Sequence, residues 1–234
     1  MTSPIPTIRA LLATSRGNLY RLLATVFAAE PSAAFSESLR SPKVRPDLES
    51  LEIDFAQPPW TLASPEERTE ALAVEYASLF LVPGRMVAPF ESVQRGEGRY
   101  WGDSTVAVKQ FYETYGYQLS EPATMPPDHL STELEFLGHL VREEANAARR
   151  EDRDAVRDLR RIQRQFLTEH LVVWIAPFAE RVSEAAEYGY YREFAALTRG
   201  FVESELADLT KPARRQPPHL NPVEGGNHGR TARH

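Results

Sequence analysis

Three short stretches carry polar residues where packing alone does not ask for them. They are Glu75-Tyr-Ala-Ser-Leu-Phe80 with the loop Val82-Pro-Gly-Arg-Met-Val-Ala-Pro-Phe-Glu-Ser-Val93, then Pro127-Asp-His-Leu-Ser-Thr-Glu-Leu-Glu-Phe136, and then Phe166-Leu-Thr-Glu-His-Leu-Val-Val-Trp174. Asp128, with Glu133 or Glu135, is suited to meeting a guanidinium group, because two parallel hydrogen bonds match the planar fork. Asp128 follows two prolines, so it is equally a good N-cap for a helix. His129, in the first turn of that helix, feels the positive end of the dipole, which disfavours its protonated form; it is otherwise read as a surface residue. Tyr76, Leu79 and Phe80 are helix-spaced, so their default is core packing, and His170, Leu171 and Trp174 are read the same way. Phe80, Pro89, Phe90 and Trp101 offer apolar contact, and a loop aromatic needs somewhere to bury its face. Ser92 either caps the loop turn or touches a ligand.

Other chemistries find little support. There is no cysteine, which removes thiol catalysis, disulfides, iron–sulfur clusters and cysteine-ligated zinc. Glu135, His139 and Glu143 recur at i, i+4, i+8, and Glu169-His170 could face them, so a helical carboxylate/His metal-binding enzyme is the alternative reading. Helical di-metal sites, however, pair Glu-x-x-His motifs on two helices, a spacing missing here; no metal, cofactor or catalytic residue is expected. No phosphate-cradling glycine loop and no nucleophile elbow occurs. Arg149, Arg150, Arg153, Arg157, Arg160, Arg161 and Arg164 are interleaved with Glu151, Asp152, Asp154 and Asp158. That pattern reads as an ion-paired, solvated helix face, with Asp154–Arg157 and Asp158–Arg161 as candidate pairs, and not as a nucleic-acid helix.

The elements that must position these residues are helical. Ile8, Leu11, Leu12, Leu19, Leu22, Leu23 and Val26 predict a helix over 7–29, ended by Pro31. A short helix is expected at Ala33–Leu39, with loops through the prolines up to 63. Ser64-Pro65-Glu66-Glu67 starts a helix with a capping box that runs to Phe80. Residues 81–102 read as a long ordered loop, which is more often functional than idle. Asp103 or Ser104 caps the next helix, which ends at Gly116, and a second loop covers 121–127. Helices follow from Asp128 to about Arg149, from Asp152 through Leu167, and over 190–209, with Pro177 bending or restarting the buried segment Leu171–Ile175. No alternating strand pattern and no repeat appears, so the fold class is all-α, a single helical bundle.

The 234 residues, 42% of them hydrophobic, suit one domain. Acidic residues outnumber basic ones 33 to 27, for a formal charge of −6, which argues against a general nucleic-acid binder. No apolar run approaches the roughly 20 residues that cross a bilayer, and the first residues lack the layout of a signal peptide. A cytoplasmic protein without stable membrane insertion is the expectation. The last residues, 211–234, are rich in Pro, Gly, Arg and Asn and read as a disordered tail.

In order, Tyr76, Leu79, Phe80, Pro83, Pro89, Phe90, Ser92, Val93, Asp128, His129, Glu133, Leu134, Glu135, Phe136, His170, Leu171 and Trp174 resemble the motifs of the TorD/DmsD/NarJ family of redox-enzyme maturation chaperones. Gln94 stands where the family often has a second aromatic, and Leu137 where methionine is common. Trp101-Gly102 followed by Ser104-Thr-Val and Lys109-Gln-Phe-Tyr112 looks closer to the delta-type members. The resemblance covers residues 8–210 and implies a TorD-like helical domain over 1–210 that is a chaperone and not an enzyme. Its implied partner is the catalytic subunit of a molybdopterin-dependent oxidoreductase, bound through its N-terminal region or a twin-arginine signal peptide, with assistance to cofactor insertion. An apolar groove with carboxylates at one end suits such a peptide. The implied contact set is Tyr76, Leu79, Phe80, Pro89, Phe90, Ser92, Trp101, Asp128, His129 and Glu133. A monomer or a domain-swapped dimer is implied.

Overall fold

A computed structural model describes residues 7–84, 86–98, 101–119 and 125–211, so the expectation of a disordered tail lies almost wholly outside the described residues. Among the described residues ten α-helices follow one another: α1 (Ile8–Ala28), α2 (Ala33–Leu39), α3 (Arg45–Ser50), α4 (Pro65–Phe80), α5 (Glu91–Gln94), α6 (Asp103–Thr114), α7 (Leu130–Arg149), α8 (Arg153–Phe166), α9 (Val172–Ala185) and α10 (Gly189–Thr210). Among the described residues there is no strand, only one isolated bridge, so the all-α expectation holds.

Local chemistry sets most helix starts. Thr7, Ser32, Ser64 and Asp152 each accept a hydrogen bond from the backbone N–H three residues on, which satisfies a donor the helix leaves orphaned. Glu67 reaches back to the N–H of Ala63 at 3.1 Å, one residue beyond the N–H of Ser64 that a capping box engages. α3 was not anticipated. Pro46 reads as a breaker in the sequence, but it sits in the first turn of α3, where its missing N–H is not needed.

α1 packs along α7, and two glycines set how closely. A Cβ on Gly138 would come within 3.2 Å of the Tyr20 Cβ, and one on Gly17 within 3.6 Å of Val141. Between α8 and α9 the chain makes a single π turn, Leu167–Leu171. Pro177 then lies inside α9, which continues through it to Ala185, so it does not restart the helix. Phe166, Leu167, His170, Leu171 and Trp174 from this stretch are all buried. Phe166 meets Phe111, Tyr112 and Phe136, and His170 meets Phe111, with ring centroids 4.9 Å apart for Phe136–Phe166 and 4.6 Å for Tyr112–Phe136. A second aromatic cluster joins Phe27, Tyr76, Phe80, Phe178 and Tyr191.

One polar network crosses this interior. Arg16 of α1 grips Glu205 of α10 through Nε and Nη2 (2.8 and 2.6 Å), Glu144 of α7 through Nη1 (2.9 Å), and the Gln163 side-chain oxygen of α8 through Nη2 (2.8 Å). Gln163 donates to Glu144 at 3.0 Å, and Arg160 adds a contact to the other Glu144 oxygen at 3.1 Å. Glu144 and Glu205 are buried. Burial opposes the charge on Arg16, yet the two carboxylates raise its pKa further. Removing one member of such a network leaves an uncompensated buried charge. Arg16→Ala is expected to lower the unfolding free energy by about 3–5 kcal/mol. Glu49→Ala, which breaks the exposed Arg45–Glu49 pair, is expected to change it by less than about 1 kcal/mol. Urea denaturation compares the two, and equal small effects refute the assignment.

Candidate functional site

The long loop and the start of α7 are stitched together at their backbones. Phe90 and His129 form the isolated antiparallel bridge. The N–H of Leu130 donates to the Pro89 carbonyl at 2.8 Å, and the N–H of Glu91 donates to the Asp128 carbonyl at 2.9 Å. Side chains close the latch: Ser92 donates to Asp128 Oδ2 from its backbone N–H at 3.0 Å and from its hydroxyl at 2.6 Å. The Tyr112 hydroxyl donates to the Pro127 carbonyl at 3.0 Å, fixing the other side of the turn.

This geometry corrects two expectations. Asp128 is not the cap of α7, because its carboxylate is spent on Ser92. The cap is His129, whose Nδ1 accepts from the N–H of Ser131 at 3.2 Å and lies 2.7 Å from the Ser131 hydroxyl. His129 is neither in the first turn nor on the surface; it is 1% exposed. Burial lowers its pKa from 6.5 to about 4, which keeps the ring neutral and Nδ1 free to accept.

Beneath the latch lies a group of buried carboxylates. Glu91, fully buried, takes a 2.7 Å ion pair from Arg95 and faces His170 Nδ1 at 3.1 Å. Neither oxygen of Glu133 has a well-formed hydrogen bond among the described residues. Burial first, then the charges of Glu91 and Asp128, hold Glu133 well above the usual carboxylate range, while the nearby Trp174 indole acts in the opposite sense. Burial and the two neighbouring charges each disfavour the charged form of Glu133. His139 bonds Arg142 and Glu169 bonds Gln165. Among the described residues no group of three His, Asp or Glu is placed to hold a metal ion.

The outer edge of the loop is organised differently. The Glu97 carboxylate accepts from the Ser104 N–H at 3.1 Å and from its hydroxyl, so a loop residue caps α6. Neither Asp103 nor Ser104 is the cap residue, which is Gly102. Burial pushes Glu97 up, but the hydrogen bonds from Ser104 and the Asp103 N–H outweigh it and lower its pKa. A Cβ on Gly102 would sit 1.8 Å from the Glu97 carboxylate, so any larger residue there would have to displace this capping side chain. Trp101, just before it, is 63% exposed with φ of 63°, a left-handed backbone that costs a bulky residue energy. Leu81 and Val82, at the start of the loop, are also exposed.

The ten sequence-predicted residues thus divide. Pro89, Phe90, Ser92, Asp128 and His129 come together in the latch, with Glu133 beneath it. Tyr76, Leu79 and Phe80 lie in the aromatic core. Phe90 is half-buried, its ring 4.9 Å from His129, and Trp101 is the exposed member. Sequence reasoning missed Glu91 and Glu97. Their signal was weak: glutamates in a loop ordinarily read as solvated.

A family model described as nitrate reductase delta subunit matches residues 41–180, more than half of the chain. The protein belongs to this family of maturation chaperones. The chaperone protein TorD of Vibrio cholerae is 27% identical over 206 residues, covering 83% of this chain and 92% of that one. The selenate reductase assembly chaperone protein of Thauera selenatis is 39% identical over 156 residues, covering 65% and 77%. The chlorate reductase assembly chaperone protein of Ideonella dechloratans is 36% identical over 131 residues, covering 55% and 66%. These relatives are named as chaperones or assembly proteins and not as enzymes.

His129 makes the latch acid-sensitive. Its folded pKa of about 4 lies below the ordinary 6.5, so between those values the unfolded chain binds the extra proton. Its contribution to stability is complete above pH 6.5 and is lost as pH falls toward 4. Each pH unit across that window carries at most about 1.4 kcal/mol. His129→Asn, which retains a capping oxygen, is expected to flatten the pH dependence of urea unfolding between 4 and 6.5. An unchanged slope refutes this.

Proposed function

We propose that the protein is a cytoplasmic chaperone for the catalytic subunit of a molybdopterin-dependent oxidoreductase. It binds the subunit's N-terminal region or twin-arginine signal peptide and assists cofactor insertion before export or complex formation. Family membership supports the class of client, since relatives are named for selenate and chlorate reductases. The absence, among the described residues, of a helix long and apolar enough to cross a membrane is compatible with this setting. The protein acts as a monomer or as a domain-swapped dimer.

One observation carries the placement of the peptide: the loop that holds exposed Trp101 and half-buried Phe90 is locked to Asp128-His129 by the Ser92 hydrogen bonds. An exposed tryptophan on a preorganised loop is the kind of anchor that carries binding energy, because little order remains to be imposed on contact. Phe90 and Pro89 extend that contact inward, while Tyr76, Leu79 and Phe80 lie in the core, where the Leu79 carbonyl accepts from the Val87 N–H of the loop at 2.7 Å. Asp128, Ser92 and His129 act on the peptide by holding the loop. Direct pairing of a leader arginine with Asp128 or Glu133 requires the Phe90 segment to lift, since both carboxylates are buried beneath it.

The client is identified by affinity capture from its native cell with mass spectrometry, and its N-terminal peptide is then titrated by calorimetry. Trp101→Ala is expected to weaken binding by about thirtyfold, the equivalent of roughly 2 kcal/mol, with no loss of thermal stability. Asp128→Ala is expected to weaken both binding and stability, because Ser92 loses its acceptor. Wild-type affinity in both variants removes the proposed site, and capture of no oxidoreductase subunit removes the client class.

A further inference from the structure

A second surface lies away from the latch, where α8 runs beside the start of α1 and the end of α10. It is a groove of about 1120 Å³, reached by both Arg9 and Lys211. A neighbouring depression of about 550 Å³ shares Arg9, Arg153 and Val156 with it. Its α8 wall carries Arg153, Arg157, Arg161 and Arg164, all exposed. At 100° and 1.5 Å per residue these four fall within a stripe about 80° wide, with steps of about 4.5–6 Å along the helix.

The sequence pattern led us to expect these arginines to be neutralised within their own helix, and only part of that occurs. Arg157 pairs with Asp154 at 2.9 Å, and Arg160 turns inward to Glu144. Asp158 lies 3.9 Å from Arg157 and leaves Arg161 without it. Arg9, Arg153, Arg161 and Arg164 have no ion-pair partner among the described residues. Facing this row, α1 exposes Ile8 (78%) and Leu12 (61%) to the same groove.

We propose that this groove docks an acidic amphipathic helix of a partner protein, with its carboxylates on the α8 arginines and its apolar face on Ile8 and Leu12. The repeat of the arginine row is that of a helix, so carboxylates at i and i+4 meet it in register. Guanidinium groups without internal partners are available for two-point contact with carboxylates. The following segment of this chain is a poor occupant by charge, since Arg214, Arg215, Arg230 and Arg233 outnumber Glu224. A nucleic acid is disfavoured because the aliphatic wall of Ile8 and Leu12 suits the apolar face of a helix and offers a sugar–phosphate backbone nothing.

The test uses the full chain and a fluorescein-labelled synthetic peptide with glutamates at i, i+4 and i+8 and leucines on the opposite face. Anisotropy is expected to report saturable binding that weakens with salt. Binding should fall at least tenfold in Arg153→Glu/Arg161→Glu/Arg164→Glu and more modestly in Leu12→Ser, with circular dichroism unchanged in both. A scrambled peptide of the same composition should bind poorly. Trp101→Ala should bind the acidic peptide like wild type, and the charge-reversed variant should keep its affinity for the client's N-terminal peptide, which separates this surface from the latch. Equal binding by the charge-reversed variant or the scrambled peptide overturns the proposal. So does tighter binding of random duplex DNA or inorganic tripolyphosphate at the same salt.

Discussion

The Arg16 guanidinium is the point at which α1, α7, α8 and α10 are held to one another. Its contacts with Glu205, Glu144 and Gln163 leave its strongest donors satisfied in a place where unsatisfied charge is costly. Geometry on both sides of the molecule follows from that constraint. On one side, the α1–α7 pairing aligned through Gly17 and Gly138 places the start of α7 against the long loop. On the other, the network draws Arg160 inward and leaves its neighbours on α8 facing solvent.

The latch repeats the same logic at smaller scale. Asp128 meets Ser92, His129 caps α7, and Glu91 meets Arg95 and His170, so a loop whose regular structure is the single turn of α5 gains fixed partners for its backbone and side chains. Glu133 is placed among these carboxylates without an ion-pair partner among the described residues, and burial with its acidic neighbours pushes its pKa up. A loop restrained at this depth can hold Trp101 at its edge in a left-handed backbone that a free chain would not retain.

The two candidate surfaces differ in chemistry as their settings require. The latch rim is apolar and aromatic above buried acid groups. The α8 groove is cationic beside exposed aliphatic side chains, on a protein whose net charge is negative.

Periodicity and caps are local properties, which is why helices α1, α2, α4, α8 and α10 are legible to within a residue or two, and why Ser64 is legible as a cap. The grouping of Phe90 with Asp128-His129 was legible too, though only through the family resemblance. What escaped were partners separated by long stretches of chain: Ser92 for Asp128, Arg16 for Glu205, Glu97 for the N-terminus of α6. A carboxylate's surroundings, and hence whether it is a cap, a solvated charge or a buried acid, are set by whichever element packs over it. Residue types and spacing alone therefore determined an all-helical bundle with an aromatic loop and no thiol chemistry. Only the tertiary structure decided which charges are buried and which are left free, because desolvation depends on neighbours the local sequence does not contain.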